Sequence, residues 1–382
     1  MIQDFELFVP IMVDILEIFS NFVNTKTDRA MSQEINKIFS RRLKQARKMK
    51  GISLESLSGM MQNAVTRQAI NKYEQGKMMP DSTVLLALAS ALGVKIDFFF
   101  RPFSVEVGQV DFRKKAKFSA VKTEALKERV QEELERYLEI EQMSGNENRF
   151  LVHKEAVSTI DDARRVASEV RKKFSLGIDG ISNVIEVLED NGIKVIEVEE
   201  SDAFDGLCGY VNGNIPIIVI NANFPAERKR FTALHELGHL LMEMPENIEK
   251  KESEALCNAF ANEMLIPFSV LEKKIGSKRH DISLNELTDI QTQFGISVDA
   301  LMYILHQRGV ISDNRYKTFN IKKNTMEVFK SEVQKSRIPN EKSGRFFRMV
   351  YRALADEIIS ISKAAALLNT SVDKVQAQLQ LV

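Results

Sequence analysis

The sequence predicts an α+β protein. An N-terminal all-α helix-turn-helix bundle is followed by a linker helix, a domain that sets a small sheet beside helices, and a helical C-terminal region. Three observations lead there. From Ile38 to Phe100, short apolar-periodic runs are separated by capping residues and glycines. Three short runs, two of them rich in Val and Ile, at 192–198, 206–210 and 215–221, read as strands. From Thr232 onward the readable segments have helical spacing.

The 382 residues suffice for several cores. We divide them into a 1–35 extension, a 36–102 bundle, a 103–160 linker, a 161–312 domain and a 313–382 tail. Lysines plus arginines number 53, as do aspartates plus glutamates, so the net charge is zero and only local patches can attract nucleic acid or membrane. Two cysteines, Cys208 and Cys257, fit a reducing compartment and give no disulfide framework. Residues 1–23 are apolar in places but carry Asp4, Glu6, Asp14 and Glu17, without a basic lead-in or an apolar run of membrane length. A cytoplasmic protein is therefore expected, and Met31-Ser-Gln-Glu reads as an alternative start of translation.

In the bundle, Arg41, Arg42, Lys44, Arg47, Lys48 and Lys50 make a basic first helix. Ser53 with Ser56, and Thr66 before its own run, read as helix starts, and Gly76 reads as a stop. After Pro80, residues 82–92 form another amphipathic helix closed by Gly93. A basic first element and a polar third one suit a helix-turn-helix, in which the second helix of the motif enters the major groove. Arg67-Gln-Ala-Ile-Asn-Lys-Tyr-Glu-x-Gly-Lys77, with Pro80 and Leu92-Gly-Val, resembles the Xre/Cro phage-repressor type. That resemblance implies that Thr66, Arg67, Gln68, Asn71 and Lys72 face DNA. Two features depart from it: the turn before Thr66 is longer than the commonest version, and Leu54 stands where many relatives have glutamine.

The run at 111–117 is basic and reads as solvated. Residues 120–143 form a charge-rich helix with Leu126, Val130, Leu134 and Leu138 on one stripe. The stripe suits a homodimer contact or packing on the following domain, and its shortness for a coiled coil favours packing. Helices are expected at 161–174 and 181–190, before the three strands. A sheet beside the cleft would let an extended peptide add as a strand. Cys208, on the middle run, reads as a packing residue rather than a thiolate ligand.

Thr232-Ala-Leu-His-Glu-Leu-Gly-His-Leu-Leu241 carries the chemistry. On a helix, His235 and His239 share one face, about 6 Å apart along the axis, and can hold one zinc ion through neutral ring nitrogens. Glu236 falls on the adjoining face, where a carboxylate can act as general base toward a water that the metal activates. Phe231, Leu234, Leu237, Leu241 and Met242 give this helix buried sides, and Gly238 within it suggests close backbone packing. A catalytic zinc takes a third protein ligand. In the helix that Pro267 ends, Glu254, Cys257, Asn258 and Ala261 share a face, so Glu254 is the candidate, with Glu252 and Glu263 open on spacing alone. Cys257 is a soft ligand in principle, but a lone buried cysteine is more often a small hydrophobe.

Arg230-Phe-Thr-Ala-Leu-His-Glu-Leu-Gly-His-Leu-Leu241, followed by Glu254-x-x-Cys-Asn-x-Phe-Ala-x-x-x-Leu-Ile-Pro267, resembles the ImmA/IrrE metallopeptidases. The resemblance implies a zincin-like peptidase domain, with His235, His239 and Glu254 binding zinc and Glu236 as the base. It often has alanine where Cys257 stands. It also implies that the substrate is a transcriptional repressor or antitoxin of a mobile element or stress response. The competing reading is a non-catalytic repressor or antitoxin with a peptidase-like sensor domain.

Residues 284–305 make a second helix-turn-helix-like pattern with Gly295 at the bend, but its apolar and acidic faces suit core packing. His280 and His306 read as surface residues. The tail repeats the style over 346–379 and reads as a surface for substrate or partner.

Overall fold

The structure, a computed structural model, describes residues 26–105, 119–147, 149–150 and 152–379. The extension before residue 26 and the basic run at 111–117 lie outside the described residues. The chain is α+β and divides into two compact units, residues 1–104 with 120–129, and residues 105–119 with 130–382.

The first unit consists of helices α1 (Lys26–Met49), α2 (Leu54–Met60), α3 (Arg67–Glu74) and α4 (Ser82–Leu92), then a 3₁₀ turn at Ile96–Phe100. The starts of α2, α3 and α4 are capped. Ser53, Thr66 and Asp81 accept from the backbone N–H groups of Ser56, Ala69 and Val84. Gly93, at φ +73°, closes α4 in the left-handed conformation. The long turn before α3 is made by Gln62 and Asn63, both at positive φ. Phe39, Leu43, Leu57, Ile70, Leu88 and Phe99 form the fully buried core.

Half of the six basic residues at 41–50 are spent inside this unit, while Arg41, Lys44 and Lys50 are exposed. Arg42 is fully buried and donates to the carbonyls of Arg101 (2.7 Å) and Pro102 (2.6 Å) while lying over the Phe103 ring. Arg47 grips Glu74 through two hydrogen bonds of 2.6 and 2.8 Å. Lys48 reaches Glu124 and Glu128.

Helix α5 (Ala120–Ser144) contributes its residues from 130 onward to the second unit. There follow β1 (Glu155–Ala156), α6 (Ile160–Lys173), α7 (Val184–Asp190), β2 (Lys194–Val198), β3 (Gly206–Val211), β4 (Ile215–Asn221), α8 (Ala226–Leu241), β5 (Met242–Glu243) and α9 (Lys250–Leu265). Then come α10 (Phe268–Ile275), α11 (Leu284–Phe294), α12 (Val298–Gln307), α13 (Asp313–Thr325), α14 (Glu327–Gln334), α15 (Arg345–Ala355), α16 (Ile361–Leu367) and α17 (Val372–Leu379). Helix α7 starts later than its apolar run because Asn183 caps it, accepting from Glu186.

The three-stranded sheet has the order β2-β4-β3, with β2 parallel and β3 antiparallel to β4. Strand β3 thus forms one edge. Helices α6, α7, α8 and α9 supply Val166, Leu188, Leu234, Leu237 and Phe260 to one core with Ile218 and Ile220 of β4. Helices α11 and α12 add Leu287, Phe294, Leu301 and Leu305 to it, so the second helix-turn-helix-like pattern is core, as its apolar faces suggest.

The linker stripe is covered by this chain. Leu126, Val130 and Leu134 are fully buried, and Tyr137 and Ile140 pack with Met349, Val350, Ala364 and Leu367 of the tail. A buried polar cluster lies alongside. Lys194 donates to Glu141 at 2.7 Å, Arg345 donates to Glu141 and to Tyr137, and Tyr137 and Ser343 donate to Glu189. Burial pushes the Glu189 carboxyl up despite these donors, and burial with the nearby Glu189 charge holds the Tyr137 phenol protonated. Among the described residues no helix is long and apolar enough to cross a membrane.

Candidate functional site

Helices α8 and α9 cross where Gly238 has no side chain. A Cβ there would stand 3.5 Å from Cys257 Cα and 3.2 Å from both Met242 Cε and Phe260 Cδ1. This close approach puts the 235/239 face of α8 against the 254/257/258 face of α9. His235 Nε2 and His239 Nε2 lie 3.2 Å apart. Two nitrogens about 2.0–2.1 Å from one tetrahedral ion would be separated by about 3.3 Å, so the pair is already spaced to share an ion. The Glu254 carboxylate lies 3.0 Å from His235 Nε2 and 3.8 Å from His239 Nε2. Cys257 Sγ joins them, since the donor atoms of His235, His239 and Cys257 all fall within 4.8 Å of one another.

Asn258 orients the site. Its Oδ1 lies 2.9 Å from His235 Nδ1. A proton on Nδ1 donated to that oxygen leaves the Nε2 lone pair facing His239 and Glu254, the tautomer a metal ligand needs. The sequence placed Asn258 on the right face, but no spacing rule assigned it to His235; its position four residues after Glu254 is the only signal. Glu263 is used elsewhere, accepting from the Phe268 N–H at 3.1 Å, and burial raises its pKa. Glu252 is exposed in the first turn of α9.

Glu236 is 3 % exposed and lies under β3. At Gly206, a Cβ would come 3.5 Å from Glu236 Cγ and 2.7 Å from Thr232 Cγ2. Only a glycine lets the edge strand run this close to the helix that carries Glu236. Tyr210, further along β3, donates to the Leu240 carbonyl at 3.5 Å, and burial pushes its phenol up. Cys208 is half-buried on the same strand.

The base of α8 is fixed from the far end of the chain. Lys229 donates to the Glu341 carbonyl at 2.7 Å and to Glu197, and Arg230 lies 3.3 Å from the Glu341 carboxylate. Glu227 accepts from Gln291 (2.8 Å), Ser336 (2.7 Å) and the Arg337 N–H (2.9 Å).

In the first unit, Thr66, Arg67, Gln68, Asn71 and Lys72 are all exposed on α3 and at its cap, while Ile70 and Tyr73 point into the core. The five form a solvent-facing polar surface with two cationic side chains. His306 stacks on Tyr316 and bonds Asp313 at 2.8 Å, away from the imidazole pair.

Residues 188–306 match the peptidase M78 family, described as the IrrE N-terminal-like domain, and residues 43–99 match the helix-turn-helix family. The chain is also 39 % identical over 64 residues to an SPbeta prophage-derived uncharacterized HTH-type transcriptional regulator, YonR, of Bacillus subtilis. That match covers 57 % of the regulator and 17 % of this chain. Two separate segments of the chain thus match family models, an N-terminal one the helix-turn-helix and a later one the IrrE N-terminal-like domain.

Proposed function

We propose that the protein is a cytoplasmic gene regulator whose second unit is a zinc-dependent endopeptidase and whose first unit binds DNA. The convergence of His235, His239 and Glu254, with two imidazole nitrogens 3.2 Å apart, carries the reading. The donor set fits zinc, which takes imidazole and carboxylate ligands. When bound, zinc activates a water and polarises a carbonyl.

The chain's own residues do the rest. Glu236, one position after His235 and shielded beneath β3, takes the proton from the attacking water and passes it to the leaving amine. Asn258 holds the His235 ring in register. The β3 edge offers backbone N–H and C=O groups to an extended substrate, which aligns a peptide bond across the cleft by strand addition. On the first unit, Arg67 and Lys72 supply phosphate contacts, with Thr66, Gln68 and Asn71 reaching base edges.

The resemblance to ImmA/IrrE peptidases and the prophage regulator together support a substrate that is a transcriptional repressor or antitoxin. The test compares newly formed peptide ends in cells making the wild type or Glu236→Gln. A repressor-type protein cut only by the wild type is expected. Equal cleavage by both removes Glu236 as the base, and cleavage by neither leaves a non-catalytic regulator.

A further inference from the structure

We propose that Cys257 is a fourth protein donor, so that the centre is a two-histidine, one-carboxylate, one-thiolate set that rests closed. This rests on the metal-centre reading above and goes beyond its three ligands.

The position of the sulfur is dictated by packing. Cys257 is fully buried, and its Cα is the backbone atom that a Cβ at Gly238 would meet at 3.5 Å. It therefore sits where α9 passes over Gly238 of α8, one residue before Asn258, whose side chain already holds His235. Its Sγ lies within 4.8 Å of a ring nitrogen of each histidine. A sulfur at about 2.3 Å and a nitrogen at about 2.0–2.1 Å from one tetrahedral ion would be about 3.6 Å apart, so the gap left to close is at most about 1.2 Å.

Glu254, one turn earlier, differs in exposure: its side chain is 36 % exposed. The two donors are thus unequal, the thiol locked in the helix crossing and the carboxylate reaching in from solvent. On loading, the thiol proton leaves to solvent and the sulfur lone pair goes to the ion; nothing is oxidised or reduced.

Four protein donors are the mark of a closed site, whereas catalytic sites keep a position for water. Glu254 is the arm placed to leave, and its departure opens a His235–His239–Cys257 centre. The thiolate also biases the site toward zinc, cobalt or cadmium and away from manganese or magnesium.

The test strips the full-length chain with a chelator and reloads it with Co²⁺ alone. The wild type is expected to take up one cobalt and show a near-ultraviolet sulfur-to-cobalt charge-transfer band. Cys208→Ala and Glu254→Gln should keep the band. Cys257→Ala and Cys257→Ser should lose it, keep the far-ultraviolet dichroism of the wild type, and bind zinc at least tenfold more weakly. A wild-type cobalt protein without the band, or a band that survives in Cys257→Ala, overturns the proposal while leaving the three-ligand site standing. Cobalt uptake that is absent, or indifferent to His235→Ala, overturns the metal centre itself and the proposal with it. Should both Cys257 variants fail to fold, the wild type and Cys208→Ala decide alone, because those are the only two cysteines in the chain.

Discussion

Replacing Gly206 by alanine tests how closely the edge strand lies on the helix that carries Glu236. The added methyl would stand 2.7 Å from Thr232 Cγ2 and 2.9 Å from the Val219 carbonyl oxygen, both well inside ordinary contact. The carbonyl belongs to β4, which pairs with both other strands, so it cannot move alone. Overpacking of this kind costs about 1–3 kcal/mol. Alanine returns roughly 0.5–1 kcal/mol by restricting the unfolded chain, so a net loss of about 1–2 kcal/mol is expected. Thr232→Ser alone removes a buried methyl and costs about 1 kcal/mol. Together the two changes should cost about 1 kcal/mol less than their sum, because serine takes away the closer obstacle. Recovery stays incomplete, since the Val219 oxygen remains. Urea unfolding of the full-length chain, followed by circular dichroism, measures all four corners of the cycle. Costs that simply add, to within about 0.5 kcal/mol, would show that β3 does not press on α8 at Thr232.

Asn258→Ala should lower zinc affinity about 10–100-fold with the fold intact, because the His235 ring loses the partner that sets its tautomer; competition with a chromophoric chelator measures it, and unchanged affinity removes the orienting role. Lys72→Ala should weaken binding to all DNA sequences alike and reduce the slope of log affinity against log salt by about 1, whereas Asn71→Ala should cost about 1–3 kcal/mol at one base position; fluorescence anisotropy across a salt series separates them. Glu341→Gln leaves Arg230 buried without its carboxylate and should cost about 3 kcal/mol, read as a lowered thermal midpoint. Glu286, held below the usual carboxylate range by Ser283 and then Arg279, adds stability that is full above its ordinary pKa and is lost as pH falls through the lower folded value. Glu286→Gln should therefore flatten the acid limb of stability against pH, and an unaltered limb would contradict the assignment.

What the sequence made legible was whatever depends on local spacing. The i, i+4 imidazoles, the caps at Ser53 and Thr66, and the glycine stops need only a few neighbouring residues, and each stands where its spacing put it. The close packing expected at Gly238 is likewise there, because a glycine inside a helix is costly unless something uses the space. The basic first helix fits the helix-turn-helix it suggested, but its charges do not all serve one end. Charge in a sequence does not reveal whether it is solvated, and Arg42 and Arg47 turn out to tie the bundle together. Arg41 and Lys44 of the same helix, and Lys50 just after it, stay exposed.

Helix α8 is likewise fixed by contacts that local spacing does not reveal. Glu227, Lys229 and Arg230 break its apolar pattern ahead of the histidines. All three are buried, and their partners include Ser336, Arg337, Asn340 and Glu341, more than a hundred positions later. Burying three charges is tolerable only if each is met by an opposite charge or fully hydrogen-bonded. Helix α8 is therefore not held by its own apolar side alone: its first two turns are positioned by a segment that no local rule connects to them. Because His235 and Glu236 follow within two turns on a rigid helix, any shift of residues 335–341 is carried directly to the imidazoles. The geometry of the centre is then set partly by the far end of the second unit.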